Sequence, residues 1–320
     1  MIDTAALLEA DSSVETVLRD ELAHGDAMVG TIAPILRHLL ANDDHSVFGD
    51  EIIARVRGML GDVAAQLLDV LALAGGESER REHEPAQIAA LVDSFVAYPA
   101  FLAHAHALAL EWQLTERLHA RLGLDPVLSP LLQALVASPE PGTAGLAMAL
   151  LAAQARFTQH QRRMQLPLGE LPGDLLHAAL IALRNLTDED AQVHAQAAEA
   201  SLRAAHDEAR SRLGLIARIV TGMGGGATAA LSVGHAGAAM FLSALALGSG
   251  QERDMAVLST NEGQLARLAL ALRAAGLRTP AVEEQFASLH PDVALPEGFD
   301  TLGADRAAAL LARSSAYPGS

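Results

Sequence analysis

The sequence of 320 residues contains no cysteine and no lysine, and only 3% of its residues are aromatic. The absence of cysteine excludes disulfide bonds, cysteine-ligated zinc or iron–sulfur sites and thiol catalysis. It is typical of cytoplasmic proteins, and the N-terminal stretch MIDTAALLEADSS lacks the basic start of a signal peptide. All 22 basic residues are arginine, which has GC-rich codons. We therefore expect a cytoplasmic protein encoded by a GC-rich bacterial genome.

The 22 basic residues are outnumbered by 39 acidic residues, so the formal net charge is −17. Such a surface repels phosphate backbones and anionic lipids, so neither nucleic acid nor an acidic membrane is an expected partner. Between Arg218 and Glu252 the chain is uncharged apart from His235. The glycines of this stretch and its short apolar part, AAMFLSALAL, favour a buried core helix over a membrane span.

What the sequence does contain is Ala and Leu, which supply most of the 51% of hydrophobic residues. Both residues lose little on entering a helix, whereas the β-branched and aromatic residues that favour strands are sparse. The composition therefore predicts an all-α fold.

The first 76 residues predict an N-terminal bundle or pair of helical hairpins. Ser12 and Glu15 form a capping-box pattern that marks a helix start, and Gly25 marks the end of that helix. From 46 to 73 apolar residues recur every three or four positions, which predicts a long helix with one buried stripe. Because small bundles with a wide apolar stripe often dimerise, this helix predicts self-association as a homodimer.

The chain beyond residue 87 has the pattern of an internal duplication. RLGL occurs at 121–124 and at 212–215, and the interval from Leu131 to Phe157 equals that from Leu215 to Phe241. The alternative is that Ala- and Leu-rich helices align by composition alone. The equal interval favours a helical-repeat body of the HEAT-like kind. The predicted divisions are an N-terminal region 1–76, a charged linker 77–86, repeat units 87–185 and 186–288, and a C-terminal loop, short helix and tail 289–320.

Two further patterns delimit a helix near the C-terminus. Ser259 and Glu262 form a second capping-box pattern and predict a helix start. Gly276 predicts its end in a Schellman motif.

Residues 215–288 resemble part of an uncharacterised family of alphaproteobacterial helical proteins, which is similar in style to HEAT-type repeats. The residues that carry the resemblance are Phe241 with Ala244-Leu245-Ala246, then Val257-Leu258, and finally Leu270–Leu272 followed by Arg273-Ala274-Ala275-Gly276-Leu277. The resemblance implies a helical fold and a bacterial source. It implies no reaction and no catalytic residue.

Three groups of residues are candidates for a site. Glu116 and His119 have the i, i+3 spacing of carboxylate metal sites on helices, but the sequence does not complete such a site, so no metal is predicted. Gly222, Gly224, Gly225 and Gly226 precede a helix, and their N–H groups could hold an anion.

The third group surrounds the loop LPLGELPG, which its prolines predict to be rigid and exposed. Arg162, Arg163, Glu170 and His177 flank or lie in this loop and form a candidate partner-binding surface, since arginine pairs well with acidic groups.

No coherent catalytic set follows from the sequence, which lacks the G-x-S-x-G elbow and an arranged nucleophile. We therefore predict a non-enzymatic bacterial interaction or regulatory protein with a protein partner and no cofactor. The alternative is a helical protein that binds a small ligand or a metal in a pocket between helices lined by Met, Ala, Leu and one or two His.

Overall fold

A computed structural model describes residues 4–41, 50–76 and 83–314. Every regular element in these ranges is a helix, so the predicted all-α fold is confirmed. Most of the predicted linker, residues 77–82, lies outside the described ranges. The α-helices are α1 (Thr4–Ala41), α2 (Asp50–Ala74), α3 (Pro85–Ala97), α4 (Pro99–Leu122), α5 (Pro130–Val136), α6 (Pro141–Arg162), α7 (Gly173–Leu186), α8 (Gln192–Ala205), α9 (Arg212–Gly222), α10 (Val233–Ser249), α11 (Arg253–Leu258), α12 (Leu265–Ala274), α13 (Thr279–Leu289) and α14 (Ala304–Ala312).

The chain forms two compact units, each assembled from separate stretches of sequence. The first, here called the α10 unit, is drawn from Met1–Ile32, Leu110–Leu151 and Ile216–Ser320. The second, here called the α2 unit, is drawn from Ala33–Ala109 and Ala152–Leu215. The domains predicted from the sequence are consecutive segments of the chain, whereas each compact unit combines segments that are far apart in the sequence. The predicted boundaries stay a prediction.

The α2 unit is built around the apolar stripe of α2. This helix contacts α3, α7 and α8. The stripe has no solvent exposure and consists of Val56, Met59, Leu60, Val63, Ala64 and Leu67. Burying one such large side chain stabilises the fold by about 1.5–3 kcal/mol. Because the stripe is covered within a single chain, α2 does not offer it as the dimer surface that the sequence suggested, and the homodimer stays a prediction.

The α10 unit is built around α10, in which every residue from Met240 to Ala246 is buried. Its neighbours include α5, α11, α12 and α13. The backbone of α10 is broken at Gly237, which has φ 70° and ψ 170°. This conformation is nearly restricted to glycine. Buried Gln285 accepts a hydrogen bond at 2.8 Å from the N–H of Val233 and so satisfies a donor at the start of α10.

The expectation of a core helix within 218–252 agrees with this burial of α10. No single described helix is both long and apolar enough to cross a bilayer. Two bent pairs of consecutive helices reach the length and composition only together: α3 with α4, bent by 95°, and α9 with the 3-10 helix Gly224–Leu231, bent by 119°.

The predicted start and end of the first helix are both wrong, because Ser12 and Gly25 lie inside α1. Gly25 serves close packing in the α10 unit instead. Its carbonyl accepts a hydrogen bond at 2.6 Å from Gln264 Nε2, and a Cβ at this position would lie 2.8 Å from Gln264 Oε1. A glycine placed for close approach is indistinguishable in sequence from one that ends a helix.

The second capping-box prediction is also wrong. Ser259 is the buried C-terminal cap of α11, and its hydroxyl donates to the carbonyl of Ala256 at 2.7 Å. Gly276, in contrast, confirms the predicted Schellman motif. It has φ 95°, and Leu277 N–H donates to Leu272 O at 3.1 Å.

The predicted duplication is compatible with the helices but is not confirmed by them. The first RLGL lies at the end of α4 and the second at the start of α9. The segment from Leu131 to Phe157 contains α5 and part of α6, whereas the segment from Leu215 to Phe241 also contains the 3-10 helix Gly224–Leu231 and the break in α10. The repeat architecture stays a prediction.

Candidate functional site

The α2 unit contains a cavity of about 220 Å³ beside the C-terminal half of α6. Its other walls come from the start of α9 and from residues 163–172, here called the wall segment. The apolar part of the lining consists of Leu108, Phe157, Leu166, Pro167 and Leu213. The polar part consists of Arg156, His160, Gln161, Gln165, Glu170 and Arg212. An apolar cavity with a few convergent polar groups is the usual form of a small-molecule site.

The wall segment begins where α6 ends in a Schellman motif. Gln165 N–H donates to His160 O at 2.9 Å, and Met164 N–H donates to Gln161 O at 3.1 Å. Met164 therefore occupies the position usually held by glycine, with φ 56°. On the facing helix α2, a Cβ on Gly58 would lie only 2.6 Å from Met164 Cβ. Gly58 thus lets α2 approach the wall segment closely.

Two side chains of α2, one turn apart, fix the backbone of the wall segment. Leu166 N–H donates to Asp62 Oδ2 at 3.0 Å, and Leu168 N–H donates to Gln66 Oε1 at 3.1 Å. Gln66 Nε2 in turn donates to Leu166 O at 3.0 Å and to Asp62 Oδ2 at 2.6 Å. Leu166, Leu168 and Leu171 are buried. The loop backbone is therefore held by hydrogen bonds from α2, and its rigidity stays a prediction. Its leucines face the core, so the prediction that the loop is exposed is wrong for these residues.

Burial shifts the pKa of two groups beside the cavity. It raises the pKa of Asp62, although hydrogen bonds from Leu166 N–H and Gln66 act in the opposite direction. It lowers the pKa of His160, while the charges of Asp62 and Glu170 partly offset this effect. His160 is therefore predominantly neutral at pH 7.

Arg212 forms the cationic wall of the cavity. It is 2% exposed, and its guanidinium carbon lies 3.6 Å from the centroid of the Phe157 ring. Its Nη1 donates to Gln154 Oε1 at 3.3 Å. Its backbone N–H, in the first turn of α9, donates to Glu170 Oε2 at 2.8 Å. Glu170 thus satisfies a free donor at a helix start and balances the buried charge.

Gln161 differs from its neighbours because it is only 1% exposed and its side-chain oxygen lacks a hydrogen-bond partner. Its Nε2 contacts Met59 Sδ at 3.4 Å, and its backbone carbonyl accepts a short hydrogen bond from Arg55. An unsatisfied buried acceptor costs about 1–3 kcal/mol.

The structure separates the four residues of the predicted partner surface. Arg162 and Arg163 are exposed at the end of α6, whereas Glu170 lines the cavity. His177 is exposed on α7, where its Nδ1 lies 2.6 Å from Arg203 Nη2. The prediction of a partner surface at these residues stays untested.

The two other candidate groups lie in the α10 unit. Gly222 ends α9, and Gly224, Gly225 and Gly226 open the 3-10 helix Gly224–Leu231; all four glycines are exposed. Their anion binding stays a prediction. Glu116 and His119 are exposed on α4, and His119 Nδ1 lies 2.9 Å from Leu124 O. Within the described ranges, no three His, Asp or Glu side chains come close enough together to hold a metal ion.

Sequence reasoning missed Gln161, Arg212 and the Asp62–Gln66 pair. RLGL did mark Arg212, but as a sign of repetition. Nothing in the sequence singles out Gln161, because its partners lie about a hundred positions away. No known protein family, no curated protein and no solved structure matches this chain. The resemblance of residues 215–288 to HEAT-like proteins stays a prediction.

Proposed function

We propose that this protein binds a small molecule in the cavity of the α2 unit. The observation that carries the proposal is the cavity itself, a space of about 220 Å³ in which an apolar lining meets the polar side chains of Arg156, His160, Gln161 and Glu170. The fixed wall segment supports the same conclusion, because a preorganised wall lowers the ordering cost of binding.

The size of the cavity limits the ligand. An engineered cavity of roughly 150 Å³ in another protein holds one benzene ring. A cavity of about 220 Å³ therefore accommodates one six-membered ring with a short substituent. At about 0.3–0.5 kcal/mol per heavy atom, a nine-atom probe of this size gains roughly 3–4 kcal/mol, which corresponds to a Kd on the order of 1 mM.

Ligand-observed NMR with benzoate, benzamide and benzyl alcohol tests the proposal on the full chain. At least one probe should bind with a Kd on the order of 1 mM. Gly169→Phe should abolish that binding, because Gly169 lines the cavity and a Cβ there meets open space. Gly145→Phe is the matched control, since Gly145 is exposed on α6, has similar free space and does not line the cavity. Absence of binding by all three probes, or equal binding by both variants, would contradict the proposal.

A protein-interaction function is the second candidate. It is favoured by the adjacent exposed guanidinium groups of Arg162 and Arg163 on a strongly acidic chain. Capture of partners from the native host by the wild type and by an Arg162→Ala/Arg163→Ala variant tests this idea. An unchanged set of captured proteins would remove these two residues from the candidate surface.

A further inference from the structure

The α2 unit also contains a groove of about 580 Å³, which lies between the end of α1, the first half of α2 and one face of α3. Among the described residues, the apolar part of its lining consists of Leu40, Pro85, Ile88, Ala89, Val92, Val96 and Ala97. The charged part consists of Arg37, Arg57 and Asp93. None of these residues lines the cavity beside α6, so the groove is a different site.

The floor of the groove is a stripe along α3. The side chains of α3 in the lining recur at three- and four-residue steps from Pro85 to Ala97, and residues at such steps share a helix face. At 1.5 Å per residue the stripe is about 18 Å long. Pro85, Ala89 and Ala97 are exposed, and Ile88 and Val92 are half-buried. The described part of the chain therefore leaves this apolar stripe open to solvent.

The two guanidinium groups of the groove lie beside the end of α1. Arg37 Nε donates to Val96 O at 3.4 Å, near the end of α3. Arg57 Nη2 donates to Leu40 O at 3.1 Å, in the last turn of α1. Because Arg37 and Leu40 are one turn apart on α1, these two bonds hold both cations in the same part of the groove.

The charge of the groove is positive at one end and absent along the rest of the stripe. Asp93 is the one carboxylate of the described lining, so the net charge there is about +1 in a chain whose formal net charge is −17. The two turns of α3 from Pro85 to Val92 contribute only apolar side chains. A ligand with one negative charge at one end of an apolar chain is complementary to this pattern.

We infer that the groove binds a medium-chain fatty acid, with its carboxylate paired to Arg37 and its alkyl chain lying along α3 toward Pro85. The space is sufficient, since an engineered cavity of roughly 150 Å³ in another protein holds one benzene ring and the groove has about 580 Å³. A chain of ten carbons is also shorter than the stripe. This inference does not depend on the proposed function, because it concerns a second site.

Calorimetric titration of the full chain at pH 7.5 with octanoate, decanoate and 1-decanol tests the inference. Decanoate should bind about tenfold more tightly than 1-decanol, because the alcohol lacks the charge that strengthens hydrogen bonds from a guanidinium group. It should bind about fourfold more tightly than octanoate, since an open groove buries roughly half of each added methylene group. Equal affinities for decanoate and 1-decanol, or no binding of decanoate, would overturn the inference and favour a protein partner as the occupant.

Three variants test the carboxylate contact. Arg37→Gln should weaken decanoate about fivefold or more and leave 1-decanol unchanged, which shows that the groove is intact. Arg162→Gln removes an exposed guanidinium group of the same unit that does not line the groove, so it should change each affinity less than twofold. Asp93→Asn should tighten decanoate about two- to threefold, because it removes the opposing charge. An equal effect of Arg37→Gln and Arg162→Gln would contradict the contact.

Three further variants locate the alkyl chain. Ala89→Phe fills the middle of the stripe and should abolish binding of decanoate and 1-decanol. Ser94→Phe is the matched control, since Ser94 is exposed on α3, about 140° around the helix axis from Ala89, and does not line the groove. Gly169→Phe fills the cavity beside α6 and should leave decanoate binding unchanged. Loss of decanoate binding in Gly169→Phe and its retention in Ala89→Phe would overturn the inference, because the acid would then occupy the cavity.

Discussion

Gly58 and Gly61 lie one turn apart on α2, but only Gly58 faces the wall segment of the cavity. A Cβ on Gly58 would lie 2.6 Å from Met164 Cβ and 3.0 Å from Met164 O. A Cβ on Gly61 would meet no atom within 4 Å. The two Gly→Ala substitutions therefore gain the same helix propensity and differ only in the contact they create.

The magnitudes follow from that difference. Replacing glycine by alanine inside a helix contributes about 1 kcal/mol of stability. Overpacking typically costs 1–3 kcal/mol, and the upper value of about 3 applies at Gly58 because the atoms in the way are a Cβ and a backbone oxygen. Met164 has little room to move, since the Schellman motif at the end of α6 fixes its backbone. We expect Gly58→Ala to lower the free energy of unfolding by about 2 kcal/mol and Gly61→Ala to raise it by about 1 kcal/mol.

Urea unfolding followed by helical circular dichroism measures both values. The slope of the free energy against urea concentration should stay constant in both variants, so that the midpoints alone report stability. Two stabilised variants of equal size would refute the close contact between α2 and the wall segment, and with it the rigid wall that the cavity needs.

Three further predictions concern the backbone and the ionisable groups. Gly237→Ala should lower the unfolding free energy by at least about 2 kcal/mol, because it forces alanine to φ 70° and places its Cβ 3.1 Å from Ser129 Cβ. Gly234→Ala, whose Cβ would have no atom within 4 Å, should instead raise the unfolding free energy by up to about 1 kcal/mol in the same urea assay. Burial raises the pKa of Asp62, so the wild type should lose stability relative to Asp62→Asn as pH rises through that pKa; a constant difference between the two from pH 3 to pH 8 would contradict this. Burial lowers the pKa of His106 from 6.5 to about 4. The free energy of unfolding should therefore fall by up to about 3 kcal/mol as the pH falls from 6.5 to about 4, because the unfolded chain takes up a proton that the folded chain does not. The His106→Gln variant should lack this decrease when unfolding is measured over the same pH range.

Much of the fold could be predicted because it depends on local properties. The Ala and Leu content predicts helices, the apolar periodicity from 46 to 73 predicts the buried stripe of α2, and Gly276 predicts a Schellman motif. The failures at Ser12, Gly25 and Ser259 share one cause. In each case a short pattern typical of a helix boundary lies where packing continues the helix or uses the residue in another way.

The candidate site was predicted only in part. The sequence drew attention to Glu170, because it lies in the proline-rich loop, but it grouped Glu170 with Arg162 and Arg163 on a surface. The structure turns Glu170 inward to the start of α9 and leaves both arginines exposed. The direction of a loop side chain depends on the elements that pack beside the loop. For Glu170 that element is α9, which begins some forty positions further along the chain.

The sequence by itself determined that this chain is helical, rich in arginine and without cysteine chemistry, since these properties follow from composition and from periodicity within single helices. Only the tertiary structure decided that Asp62 and Gln66 hold the wall segment, that Arg212 lies against Phe157, and that the buried residue Gln161 belongs to the lining of a cavity. The physical reason is that hydrogen bonds, burial and electrostatic balance are properties of neighbours in space. In this protein those neighbours are brought together from helices that are far apart in the sequence.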